Sequence, residues 1–278
     1  MLFNTFAHIS GIGAATEQRL WAAGVCSWDD FVQPWPQDFS GRRGEMVARH
    51  LAESRQSFDA GAIAVGRLLR NNLLWRLYPH FRDTIAYLDI ETTGLDKDTD
   101  LITSIALYGG GSVFTYVRGE NLDDFIKAIS RYQVLVTYNG RGFDVPVLER
   151  TFAIKIDHAH IDLRFLLQEL GITGGLKGCE KKLGIVRDDG LDGVDGRFAV
   201  FLWREYERTG NRAFLETLLA YNVADTVNLE ALMVHAYNRK VAQTPFAESL
   251  LLPMPEPPVN PFVADTSLVH DLRQRYSL

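Results

Sequence analysis

Cysteine is nearly absent from this chain. Cys26 and Cys179 are its only two, and they are far apart in 278 residues. They match no metal-ligand spacing and read as reduced thiols within the packing of a cytoplasmic protein. No apolar run is long enough to cross a bilayer, so no membrane partner is expected. Residues 1–13 have no basic stretch leading into an apolar core, so no signal peptide is expected. There is no internal repeat. Excess positive charge is also missing: the net charge is −6, which excludes a globally basic nucleic-acid binder. The charge is uneven. Residues 1–83 carry 9 Lys/Arg and 8 Asp/Glu, a net of +1, and the remainder carries 20 and 27, a net of −7. Contact with a polyanion would then rest on local basic patches and on bound cations. With 46% hydrophobic and 23% charged residues, the chain has the composition of an ordinary globular protein.

The stretch T-I-A-Y-L-D-I-E-T-T-G-L, residues 84–95, is the centre of the sequence. Ile85, Ala86, Tyr87, Leu88 and Ile90 form a nearly continuous apolar run, which predicts a strand buried on both faces. Asp89 and Glu91 are set into it two residues apart, so they share one face. Two such carboxylates repel each other, and burial penalises each charge. A divalent cation removes both costs, because Mg²⁺ and Mn²⁺ prefer carboxylate oxygens. Taken alone, the stretch is equally compatible with a strand that ends in solvent.

Upstream, I-S-G-I-G at residues 9–13 is a glycine turn before a helix at 14–23, and Val25, Trp28 and Phe31 space out a second short helix. Residues 40–77 read as helical, with arginines distributed along them. Downstream, strands are predicted at 101–108 and 112–117, joined by Gly109-Gly110-Gly111 as a hairpin. Asn121 is placed to cap a helix reaching residue 132, and strands follow at 133–138 and 160–163, each leading into a helix. Three antiparallel strands followed by helix–strand–helix–strand–helix predict a mixed five-stranded sheet with helices on both faces. A glycine-rich segment at 171–197, two helices at about 197–208 and 211–238, and a tail with six of the ten prolines complete the chain.

Two more acids stand out. Asp144 in N-G-R-G-F-D-V-P opens a helix, where capping alone would also explain it. Tyr221 and Asp225 in A-Y-N-V-A-D-T-V-N-L are four apart on one face of the last long helix. His158-x-His160-x-Asp162 offers three ligand types to a metal such as Zn²⁺, and it equally suits a strand entering the sheet edge.

Asp89-x-Glu91 on a strand, Asp144 before a helix, and Tyr221-x-x-x-Asp225 on a late helix resemble the three motifs of the DEDDy-type 3′–5′ exonucleases. The G-L-K-G-C-E-K-K-L-G-I, G-L-D-G and L-L-A-Y-N-V-A-D-T-V-N-L runs within 176–232 are similar to the YprB-type ribonuclease H-like domain family. The resemblance covers about residues 72–238. It implies an α/β ribonuclease H-like domain at 71–240, with a helical module at 1–70 and a proline-rich tail at 241–278. It implies Asp89, Glu91, Asp144 and Asp225 as ligands of two divalent cations, Mg²⁺ or Mn²⁺, and Tyr221 as the residue that positions the attacking water. The substrate would be a single-stranded DNA or RNA 3′ end. Thr92, Asn139 and Arg141 are candidate substrate contacts beside the acids. The 1–33 pattern resembles a helix-hairpin-helix motif, which would direct backbone N–H groups near Gly11 and Gly13 at a phosphate. The rival readings are an endonuclease of the same fold, acting on structured DNA or RNA–DNA hybrids, and a non-catalytic nucleic-acid-binding module.

Overall fold

The computed structural model describes residues 1–94, 96–187 and 196–276. Leu95 and the G-L-D-G run at 190–193 lie outside the described residues. Five strands form one mixed sheet: β1 (Ile85–Thr92), β2 (Ile102–Gly109), β3 (Ser112–Val117), β4 (Val134–Thr137) and β5 (Ala159–Asp162). Their order is β3-β2-β1-β4-β5. The first three pair antiparallel, and β1, β4 and β5 run parallel. The β2–β3 turn uses Gly110 and Gly111 at φ 58° and 75°, the left-handed pair that a tight hairpin demands. Side-chain alternation along β1 divides its residues between two cores. Ala86, Leu88 and Ile90 pack beneath two helices, α4 (Asp124–Ile129) and α5 (Asp144–Phe152). Ile85 and Tyr87 face the opposite layer, and Asp89 follows them on that face.

That opposite layer is organised by the 30-residue helix Arg212–Val241. In chain order, α6 (Leu163–Glu169), α7 (Gly175–Leu183) and α8 (Gly196–Thr209) precede it, making it α9. It is apolar nearly all round and buried along most of its length, as expected of a helix enclosed in a core. The tail runs along it. Asn238 exchanges two hydrogen bonds with Leu252, Asn260 donates to Ala220 O, and Asp265 N–H donates to Thr217. After the short α10 (Ala247–Leu250), the tail ends in α11 (Thr266–Tyr276). The proline content predicts an extended tail wrapped on the domain, and the tail does lie on α9; no proline falls within α11 to prevent the helix that ends it.

The N-terminal part shares its core with the sheet. α1 (Ala14–Ala22), α2 (Arg42–Asp59) and α3 (Ala62–Gly66) lead into a 3₁₀ segment, Asn71–His80. Two expectations fail here. The second helix after α1 is one 3₁₀ turn, Trp28–Asp30, closed by a reciprocal Ser27–Asp30 cap and followed by Pro34 and Pro36. The helical stretch at 40–77 breaks at Gly61, whose φ is 107°. A third expectation fails beyond β3. Asn121 does not cap α4; its amide bonds Val117 N–H and Thr115 O, tying the chain to β3.

Candidate metal and nucleic-acid site

The acids meet at the carboxyl end of β1. β1 carries Asp89 and Glu91 on the face toward α9, and α9 presents Tyr221 and Asp225 one turn apart. One carboxylate oxygen from each of Asp89, Glu91 and Asp225 lies within 4.8 Å of the others. Glu91, Asp225 and Tyr221 are buried. Burial pushes the Asp89 carboxyl well above the usual range, and the charges of Asp225, Glu91 and Asp144 push it further. Asn222 opposes this by donating to Asp89 Oδ2 at 2.7 Å, and Ser104 Oγ in turn donates to Asn222 Oδ1 at 3.0 Å. This relay from β2 through α9 fixes the orientation of Asp89.

Asp144 stands just outside the trio. Its carboxylate accepts from the backbone N–H of Ile90, which lies between the two β1 acids, and from its own N–H. Burial nevertheless pushes it up to about 7, helped by the charge of Asp162. Tyr221 is hydrogen-bonded to Asp225, and burial beside three carboxylates pushes its phenol far above the usual value. It therefore stays protonated, and its O–H serves as a donor rather than as a base. Lys177 Nζ lies 4.6 Å from the Tyr221 ring centre.

A second layer surrounds Asp225. Arg187 donates through Nη1 to Asp225 Oδ1, and through Nε and Nη2 to Glu180 at 2.6 and 2.8 Å. Asn228 Nδ2 also donates to Glu180, at 2.9 Å. Burial works against the charge of Arg187, but Asp225 and Glu180 hold it protonated and above its ordinary value. Because Glu180 offsets Arg187, the guanidinium fixes Asp225 without cancelling the negative charge of the trio. Arg187, Glu180 and Asn222 were missed in the sequence. Asn222 and Glu180 lie inside the quoted motifs, but Arg187 is 38 residues from its partner Asp225, with no local signal to connect them.

The acids open onto a cleft of about 660 Å³. Thr92 and Asn139 line it, together with Arg164 and Gln168 of α6 and the apolar side chains Phe143, Ile172 and Leu176. Asn139 has a left-handed φ of 66°, and its Oδ1 accepts from Arg164 at 2.6 Å. Arg141 does not reach the cleft. Its guanidinium donates to His160 O and lines the neighbouring trough. Gly11 and Gly13 are exposed before α1 and are not part of the cleft. Nor do His158, His160 and Asp162 converge among the described residues. The two imidazoles are engaged with Ile129 O and Thr137 Oγ1, and Asp162 accepts from three backbone N–H groups.

Three hard carboxylate oxygen donors at this separation fit Mg²⁺ or Mn²⁺ better than a softer metal. Residues 86–237 match the sequence model of the RNase_H_2 family, described as RNase H superfamily. The chain belongs to the RNase H superfamily. An RNase H-like domain implies a nuclease, and nucleases of this fold use divalent metals. No curated protein matches this RNase H-like chain. Among solved structures, a family B DNA polymerase from the hyperthermophilic archaeon Pyrobaculum calidifontis matches at 15% identity and a TM-score of 0.36. That match covers 56% of this chain and 29% of the polymerase chain.

Proposed function

We propose that this RNase H-like protein is a 3′–5′ exonuclease dependent on two divalent cations, Mg²⁺ or Mn²⁺. It would release nucleoside monophosphates from a single-stranded DNA or RNA 3′ end. The observation that carries this reading is the convergence of Asp89, Glu91 and Asp225 beneath a cleft, with Tyr221 one helical turn from Asp225 on the same face. The four carboxylates, Asp144 included, balance the charge of two divalent ions. When bound, such ions polarise the scissile phosphate and supply a hydroxide-like nucleophile near neutral pH.

The protein's own part is placement. Asp89 is steadied by Asn222 and Asp225 by Arg187, so both carboxylates are oriented before substrate arrives. The Tyr221 hydroxyl is assigned the task of orienting the attacking water. Asn139, Thr92 and Arg164, which line the cleft, would contact the terminal nucleotide and its phosphate, and Phe143 and Leu176 would offer apolar surface to its base. Gly11 and Gly13 are proposed as a secondary phosphate contact on the exposed start of α1.

The test is degradation of 5′-labelled single-stranded DNA and RNA oligonucleotides with Mn²⁺, Mg²⁺ or EDTA. The expected result is a ladder shortening from the 3′ end that disappears in EDTA. Discrete internal cuts would replace this reading with an endonuclease, and no cleavage in any metal would leave a binding module.

A further inference from the structure

Beside the acidic cleft lies a second trough of about 460 Å³. The two share their walls. α6 turns Arg164 and Gln168 into the cleft, and turns the residue that follows each of them, Phe165 and Glu169, into the trough. The loop after β4 places Asn139 in the cleft and Arg141 in the trough. Arg164 and Asn139, hydrogen-bonded to each other, line the cleft, and their chain neighbours Phe165 and Arg141 line the trough.

The trough is apolar with a few polar groups. Trp75, Leu166 and Phe165 supply its surface, and Asn71, Asn72 and Arg141 its amides and guanidinium. Phe165 is 50% exposed, and among the described residues no other ring packs against it. A large aromatic held half in solvent at the mouth of a trough is a stacking surface without an occupant. The rim carries charges of both signs, Arg141 among them beside the carboxylate of Asp162. Glu169 is paired with Lys240 at 2.6 Å, and Asp162 is taken up by the backbone N–H groups of Asn139, Arg141 and Arg164. By contrast, Arg141 and Arg164 donate to neutral acceptors, a carbonyl and an amide, and form no ion pair among the described residues. Arg164 in the cleft and Arg141 in the trough thus keep guanidinium groups free of a direct salt bridge among the described residues, with Asp162 the acid that acts on Arg141.

We infer that this trough is a second nucleotide subsite, which takes an unpaired base upstream of the 3′ end while the connecting phosphates pass the Arg164–Asn139 pair. The inference rests on the exonuclease reading and gives its single-strand preference a physical basis, because a paired base cannot insert its ring face beside Phe165. The volume lies within the roughly 300–1,000 Å³ range of small-molecule sites. Stacking on an aromatic is tolerant of base identity, so the subsite confers dependence on substrate length and strandedness and little dependence on sequence.

The experiment compares 5′-fluorescein-labelled octamers of DNA and RNA with the corresponding dinucleotides, by anisotropy in EDTA. Wild type, Phe165→Ala and Phe165→Trp are used as full-length chains; the exposure of Phe165 makes both substitutions compatible with folding. The quantity read is the ratio of octamer to dinucleotide affinity. Phe165→Ala is expected to lower it by about 5-fold to 100-fold, and Phe165→Trp to restore it. An unchanged ratio overturns the inference, and so does a blunt duplex octamer bound as tightly as the single strand. If the wild-type protein cleaves both lengths with Mn²⁺ while the ratio does not move, the subsite falls alone. If it neither binds nor cleaves any of them, the exonuclease reading falls and takes the subsite with it.

Discussion

Asp89 is an uncomfortable charge. Burial acts on it first, three neighbouring acids add to that, and a side-chain donor, Asn222, works in its favour. Function and stability should therefore respond to its removal with opposite signs. Asp89→Asn is expected to lower Mn²⁺-dependent hydrolysis by at least about 10²-fold, since it removes a ligand worth several kcal/mol. The same variant should melt higher than wild type in EDTA at pH 8, by roughly 2–4 °C per kcal/mol of repulsion relieved. A calorimetric scan checks it, and a lower melting temperature would mean that Asp89 is not strained. Tyr221→Phe is expected to lower kcat on the order of 10²-fold while Mn²⁺ affinity stays within about twofold, since orientation of the water is lost and no ligand is. Single-turnover rates and Mn²⁺ titration separate these quantities. Arg187→Gln should weaken Mn²⁺ binding by about 10- to 100-fold, because Asp225 loses the group that orients it. Isothermal titration reads this directly, and unchanged affinity would make Arg187 a packing residue only.

Among the elements, β1 and α9 were the most legible in the sequence, for the same physical reason. Each carries its chemistry at the period of its own backbone, Asp89 and Glu91 at two and Tyr221 and Asp225 at four, within an apolar pattern that names the element. The elements around them were less legible because tertiary contacts decide them. Asn121 has the residue type of a helix cap and is instead spent on β3. The end of the stretch expected to be helical at 40–77 instead falls in the 3₁₀ segment Asn71–His80, with Pro79 inside. Nothing local announces that Arg76 in that segment pairs with Glu17 of α1, 59 residues earlier. That pair is buried, and Glu17 also accepts from Thr5 Oγ1 and from the backbone of Phe6 and Ala7. Burial alone would raise the Glu17 carboxyl, but Arg76 and these donors hold it below its usual value. α1 is thus fastened from its inner face while Gly11 and Gly13 remain outside. Glu17→Ala leaves the Arg76 charge and three donors unmet in the interior, so it should cost about 3–5 kcal/mol in urea unfolding. A cost under about 1 kcal/mol would show the module held by its apolar contacts instead.

At the scale of the molecule, the sheet order brings the carboxyl ends of three parallel strands to one edge, and the acid cluster, the cleft and the trough all gather there. That arrangement trades stability for function, and pH exposes the trade. Asp144 is pushed up to about 7 and Asp89 well above its usual range, both by burial first. In the unfolded chain both titrate near 3.9. Between about pH 4 and pH 7 the folded protein therefore holds protons that the unfolded chain has released. Stabilisation present below the unfolded value is lost as pH rises through the folded one. His8 and His80, both pushed down to about 4 by burial, act in the other sense, lowering stability as pH falls below about 6.5. The histidines lie away from the cluster and contribute equally with and without metal, so the difference between two melting curves isolates the acids. In EDTA the melting temperature should fall from pH 6.5 to pH 8. With millimolar Mg²⁺ that fall should vanish, because the cation stabilises the ionised carboxylates in the folded state and has no such site in the unfolded chain. Parallel profiles in EDTA and Mg²⁺ would mean that the carboxylates do not share a cation, and would remove the charge balance on which the two-cation reading depends.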